Sequence, residues 1–162
     1  MAVAGLYPKL TASLKPAVES SFFDPDNPFR FDLKARGVLR YDISPGFSLN
    51  AQASKRIVGN VGTSTRLSDS VIQHVRSDIG LYQNAGDPTI DRLTADYLFK
   101  LSPDLYGRIS GGIFERMYGG ASAELLWAPT DRAFALGAEV NWVKQRDYDQ
   151  LLSFRDYSTV TG

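Results

Sequence analysis

From Phe29 to Ile43 the chain alternates without a break. Odd positions carry Phe29, Phe31, Leu33, Ala35, Gly37, Leu39, Tyr41 and Ile43, and even positions carry Arg30, Asp32, Lys34, Arg36, Val38, Arg40 and Asp42. Successive side chains of a strand point to opposite faces, so this segment predicts a strand lying between an apolar phase and water. The segment from Arg132 to Lys144 repeats the pattern. Its even positions are Phe134, Leu136, Ala138, Val140 and Trp142, against Gly137, Glu139 and Asn141. Long dyad alternation, cut by turn residues and repeated along a chain, is the signature of a transmembrane-type β-barrel.

Turn residues divide the chain into strands. Breaks fall at Asp24-Pro25-Asp26-Asn27-Pro28, Ser44-Pro45-Gly46, the polar run Gly59 to Ser70, Asn84-Ala85-Gly86-Asp87-Pro88, Ser102-Pro103-Asp104, Gly119-Gly120 and Pro129-Thr130-Asp131. Proline fixes φ and lacks a donor, while Asp, Asn and Gly favour turns. The predicted strands are Lys9–Phe23, Phe29–Ile43, Phe47–Val58, Val71–Tyr82, Thr89–Leu101, Leu105–Arg116, Ala121–Trp127 and Arg132–Arg146. Asp147 to Phe154 could hold a short helical turn, and Asp156 to Gly162 reads as the start of a ninth strand. Short turns alternate with longer links, as when one barrel end carries tight turns and the other loops.

The fold class expected is therefore all-β: an antiparallel, up-and-down barrel segment of eight to nine strands, an incomplete barrel forming one domain over residues 1–162. The residues expected to line a polar lumen are Arg30, Asp32, Lys34, Arg36, Arg40, Arg92, Asp96, Arg108, Glu115, Glu124 and Glu139. Those expected to face lipid are Phe31, Leu33, Leu39, Phe134, Leu136 and Val140. Aromatics near strand ends (Phe22, Phe23, Phe29, Tyr41, Phe47, Tyr106, Tyr118, Trp127, Trp142) suit interfacial girdles.

Composition narrows the chemistry. The 162 residues include 18 basic and 18 acidic side chains, so no polyanion-binding field is expected, and the basic residues are scattered instead of clustered, which argues against nucleic acid. Without cysteine, neither a disulfide framework nor a thiolate metal site can form. No apolar run approaches the roughly 18 residues of a spanning helix. Mean hydropathy is −0.20, which a barrel tolerates because half of each strand faces a wet lumen. The opening MAVAGLYPKL lacks the form of a signal peptide, so an exported protein is expected to carry this sequence as a fragment of a longer chain.

No catalytic, cofactor or metal site is predicted. His74 has no Ser, Cys or second His partner and reads as an ordinary polar-face residue. No phosphate loop or metalloprotease helix is present. Glu115, Glu124 and Glu139 fall in three successive predicted strands, and paired carboxylates can hydrolyse sugars. The plainer reading places them in a polar lining, matched by Arg108, Arg116, Arg132 and Lys144.

Several stretches carry a family resemblance: Leu105-Tyr106-Gly107-Arg108, Gly111-Gly112, Glu115-Arg116-Met117-Tyr118-Gly119-Gly120, Ala123-Glu124-Leu125-Leu126-Trp127-Ala128-Pro129, and above all Ala135 through Gln150. Phe154, Asp156-Tyr157 and Thr161-Gly162 continue it. Upstream, Phe23-Asp24-Pro25-Asp26 and Val75-Arg76-Ser77-Asp78 fit as well. These residues resemble the YjbH family of exopolysaccharide-biosynthesis outer-membrane proteins. Ala128 stands where that family usually has Arg, and Ser122-Ala123 where it usually has Gly before the glutamate. The resemblance implies the C-terminal part of a longer lipoprotein-family chain in the bacterial outer membrane, with membrane lipid, polysaccharide and other assembly proteins as partners. It implies a non-enzymatic role in polysaccharide export or assembly. Two other readings stay open on the residues: a soluble or periplasmic β-sandwich or β-barrel binding module, and a carboxylate-dependent polysaccharide-modifying enzyme.

Overall fold

A computed structural model describes residues 6–22, 28–61, 78–85 and 87–162. Eight strands follow one another: β1 (Lys9–Phe22), β2 (Phe29–Ser44), β3 (Phe47–Gly59), β4 (Thr89–Ser102), β5 (Leu105–Ile113), β6 (Tyr118–Trp127), β7 (Leu136–Arg146) and β8 (Phe154–Thr161). They form a single sheet in chain order, each pair of neighbours antiparallel. β1 and β8 do not pair with each other, so the described sheet is open. A short helix, α1 (Ile79–Asn84), lies between β3 and β4.

The alternation decides the register. Leu10, Ala12, Leu14, Val18 and Phe22 of β1 pair with Tyr41, Leu39, Gly37, Leu33 and Phe29 of β2, apolar against apolar. Between them, Lys9 pairs with Asp42 and Glu19 with Asp32. The same division continues across the sheet, where Leu49 meets Ala95, Tyr97 meets Ile109, and Val140 meets Ala123. Register shifts interrupt the ladder at Leu33/Lys34 and Gln52/Ala53. Each inserts a residue that bends the strand while letting the alternation resume on the correct face.

Which face is hidden is the reverse of a water-soluble protein. Among the described residues the buried side chains are mostly polar, including Arg30, Asp32, Lys34, Thr94, Asp96 and Arg146. The large apolar ones are exposed, with Leu14 at 77% and Leu136 at 60%. Among the described residues the apolar core cluster is small, joining Tyr82 of α1 with Met117 and Tyr118, and Val143, Tyr148 and Tyr157 pack against it. Arg116 crosses from the β5–β6 link to Glu19 on β1 at 2.8 Å. Four strand spacings of nearly 5 Å lie between β1 and β5, so the sheet curls around its polar face.

Two-residue turns close β2–β3 at Pro45-Gly46 and β4–β5 at Pro103-Asp104, and this turn end also holds the longer β6–β7 link. The opposite, loop end holds α1 and the β5–β6 and β7–β8 links. Three expectations are corrected here. The strand expected over Val71–Tyr82 is α1 from Ile79 onward, because its apolar residues reach the cluster under the loop end; Val71 to Ser77, with His74, lies outside the described residues. Gly119-Gly120 is not a turn but part of β6, where the backbone of Trp142 approaches so closely that a Cβ on Gly120 would lie 2.0 Å from its carbonyl oxygen. The helical turn expected within Asp147–Phe154 is a non-helical turn, with Gln150 at a φ of 56°.

Gly112 has a φ of 130°, and a Cβ there would lie 2.1 Å from the Leu93 carbonyl oxygen, whereas a Cβ on Gly37 meets nothing within 4 Å. Gly112→Ala should therefore destabilise the sheet by about 1–3 kcal/mol. Gly37→Ala should stabilise it by roughly 0.5–1 kcal/mol. Urea midpoints of the two refolded variants check this; equal midpoints would show that the β4–β5 approach is not as close as described.

Candidate functional site: the polar inner face

The inner face is built from every second residue of β1–β7. At the loop end its charges form one connected network. Asp32 is fully buried; its Oδ2 accepts from Arg56 Nε at 2.9 Å and its Oδ1 from the Val61 amide at 3.0 Å. Lys34 lies 3.8 Å from Asp32 and donates to Glu19 at 2.6 Å. Glu19 is held from its other side by Arg116, which also reaches Asp91 at 3.3 Å. Asp91 accepts in turn from Thr89 at 3.1 Å and from Ser54, with Arg36 3.7 Å away. A carboxylate taken out of water is tolerated when each oxygen has a cation or donor, and Asp32 and Asp91 meet that condition.

Arg146 is fully buried and is bound differently. Its Nη1 donates to the carbonyl oxygens of Ile90 (2.8 Å), Glu115 (2.9 Å) and Arg116 (3.2 Å), and its Nη2 to Leu151 (2.7 Å) and Gln150. A planar fork of donors suits this task, tying three backbone segments to one side chain. Gln150 extends the clasp by donating to the carbonyls of Tyr82 (2.6 Å) and Ala85 (2.9 Å), and the Tyr82 hydroxyl donates to the Arg146 carbonyl. Burial pushes the Tyr82 phenol up to about 12. Burial, with Asp78 beside it, raises that of Tyr148.

Nearer the turn end, Arg108 lies 2.8 Å from Glu124 and 3.3 Å from Glu139. The two glutamates sit directly opposite each other on β6 and β7, a like-charge pairing that the guanidinium compensates. Ser122 also donates to Glu139 at 2.9 Å. Arg108, Ser122 and Glu139, with Ser110, Glu115, Asn141 and Thr159, line a cavity of about 380 Å³ whose surface offers both donors and acceptors.

The expected lumen residues distribute as follows. Arg30, Asp32, Lys34 and Asp96 are buried on the inner face; Asp96 accepts from Asn50 at 2.7 Å and Thr94 at 2.8 Å. Arg36 and Arg108 are on the same face, and Arg92 there donates to Thr94 at 3.4 Å. Arg40 pairs with Asp42 at 2.8 Å near the turn end. Glu115 departs from expectation: it lies in the β5–β6 link and not on a strand, because β5 stops at Ile113, yet it lines the same cavity as Glu139. Lys144, expected to offset inner carboxylates, lies on the apolar face in register with Gly119.

Of the expected lipid-facing residues, Phe31, Leu39, Phe134, Leu136 and Val140 are exposed on the apolar face, and Leu33 is half-buried there. Aromatics gather at both ends of that face. Phe22, Phe29 and Phe31 follow one another at the loop end, with ring centroids 5.3 and 6.1 Å apart. At the turn end Phe47, Tyr97 and Phe99 do the same at 6.4 and 5.6 Å, and Trp127 meets Phe134 at 5.9 Å. Tyr118 instead belongs to the inner cluster and Tyr106 lies under Lys100 on the inner side, while Phe23 falls outside the described residues.

Sequence reading missed Glu19, Asp91 and Arg146 as organising groups. Glu19 was findable as a member of the odd, polar phase of β1, with Lys9, Thr11, Ser13 and Lys15. Asp91 was masked by the register shift, and nothing local marks Arg146.

A family described as exopolysaccharide biosynthesis protein matches residues 3–162. An uncharacterized lipoprotein, YjbH, of Escherichia coli K12 is 30% identical over 156 residues, covering 92% of this chain and 22% of the relative. The chain thus spans about a fifth of that relative's length. No solved structure matches.

Arg146→Lys keeps the charge but loses most of the carbonyl bonds, and should cost ~3 kcal/mol in urea unfolding. Glu19→Gln, on a part-exposed pair, should cost ~1 kcal/mol or less. The reverse ranking would show that the network, not the clasp, secures the loop end. Tyr82 adds a pH dependence. Its native pKa lies above the ordinary value of 10, so its contribution is complete below pH 10 and is lost as pH rises towards 12. Tyr82→Phe should flatten the fall in stability across that window; an unchanged pH profile would exclude Tyr82 as its source.

Proposed function

The chain belongs to the YjbH family of exopolysaccharide biosynthesis proteins, and from that premise we propose that it forms part of an outer-membrane β-barrel serving polysaccharide export or assembly without catalysis. One observation carries this reading: burial is inverted, with ionic groups inside the curl and large apolar side chains outside it. Water would drive the opposite arrangement, since burying apolar surface is the main favourable term in folding. Hydrocarbon around the outer face removes that penalty and makes the inner face the wet one. The aromatics at both ends of the apolar face fit the two membrane interfaces.

A closed barrel also answers the open edges. Unpaired strand edges cannot lie in lipid, so β1 and β8 need partner strands. The inner face then offers hydroxyls, amides and paired charges to a passing glycan. A soluble sandwich is less well supported, because no second layer covers the apolar face among the described residues. For the Glu124–Glu139 pair the enzyme reading meets a geometric obstacle. Arg108 occupies the space beside Glu124 and Glu139 at ion-pairing distance, where a scissile sugar bond between two carboxyls would have to lie.

Leu14 lies mid-strand on the apolar face and Ser13 beside it on the other. Leu14→Arg should cost roughly 2–4 kcal/mol of insertion into liposomes, and Ser13→Arg far less. Equal tolerance would remove the membrane assignment. For the non-enzymatic role, Glu124→Gln and Glu139→Gln in the full-length protein should leave secreted polymer per cell within about threefold at matched abundance, whereas loss of a general acid or base costs roughly 10²–10⁴-fold. A hundredfold drop would establish catalysis instead.

A further inference from the structure

The apolar face is not evenly filled. Across β4–β8 it is cut by a groove of about 580 Å³, within the size range of small-molecule sites. Its floor is bare because Gly111 of β5 and Gly119 of β6 occupy outward positions where the other strands carry side chains. A Cβ on Gly111 would meet only the Gly120 carbonyl oxygen, at 3.9 Å. Leu93 and Trp142 form the walls, and the Phe154 ring closes over Gly119, 3.0 Å from where its Cβ would stand. Lys144 lines the same groove towards the loop end.

Lys144 gives the groove its chemistry. No carboxylate among the described residues pairs with it. By the register, the outward positions of β1–β7 hold no acidic side chain and include Lys55 and Lys144, both towards the loop end; on β8 Asp156 shares the side of Phe154 and Ser158 but forms no ion pair with Lys144. An ammonium on an apolar face reaches along its own methylenes to the interface, where it needs an anion.

We propose that this groove seats one membrane lipid with a net-negative phosphate headgroup, its hydrocarbon chain over Gly111 and Gly119 and its phosphate on Lys144. The site rests on the membrane reading given above. The lipid would dock at the loop end, which in barrels of this type is the side of the longer connections.

Native mass spectrometry of the full-length protein, given equimolar dioleoylphosphatidylglycerol and dioleoylphosphatidylcholine, tests the proposal. The wild type should retain the anionic lipid over the zwitterionic one by about fivefold, the preference expected of one lysine near a charged headgroup. Lys144→Gln should bring that ratio close to one while lipid stays bound. Gly111→Leu fills the groove and should strip both lipids by about fivefold or more relative to wild type. A wild-type ratio near one, an unchanged ratio in Lys144→Gln, or unchanged occupancy in Gly111→Leu would overturn the site, as would a dimer that Gly111→Leu dissociates. Protease protection in liposomes separates the two levels. A wild type that fails to insert defeats the membrane reading, and one that inserts without lipid preference defeats the groove alone.

Discussion

Everything in this chain depends on the period of two. A strand has two faces, and here they meet opposite environments, so a slip of one residue in any pair would turn a row of charges outward and a row of apolar side chains inward. The pairing of Leu14 with Gly37 and of Lys9 with Asp42 therefore reinforce each other. Where the strand must bend, the register shifts at Leu33/Lys34 and Gln52/Ala53 absorb the extra residue without exchanging the faces.

Placing the charges inside raises a cost that pairing must offset. An isolated buried carboxylate is far more expensive than a shared one, and the network from Asp32 through Lys34, Glu19 and Arg116 to Asp91 leaves no member alone. The network also does mechanical work. Because Glu19 is on β1 and Arg116 on the β5–β6 link, their ion pair holds the curl that brings distant strands round the polar interior. Arg146 completes that end by fastening the backbone of three separate segments, and α1 is tied to it through Tyr82 and Gln150. The loop end is thus built as a polar cap, and the turn end, with its short connections, stays simple.

These features connect to function through the same inversion. A polar interior of hydroxyls, amides and paired charges would offer hydrogen bonds to the hydroxyl-rich polymer of the proposed role. The Arg108–Glu124–Glu139 cluster is part of that lining. On the membrane reading the outer face meets hydrocarbon, and its glycine-floored groove carries Lys144.

Seven of the eight expected strands, both faces of β2 and β7, and the family were legible in the amino-acid order, since alternation and turn residues are local properties. The limits of legibility were equally physical. Gly119-Gly120 reads as a turn locally, but the close approach of β7 makes it strand. Tyr82 continues an apolar pattern that suits a strand, yet the cluster with Met117 and Tyr118 draws its segment into a helix. Glu115 shares its pattern with Glu124 and Glu139, but the end of β5 at Ile113 places it in a link and not on a strand. Sequence by itself determined which residues share a face, because period two is written into each strand. Tertiary structure alone decided which charge meets which, and that Arg146 holds the loop end, because those partners are brought together by curling and not by spacing along the chain.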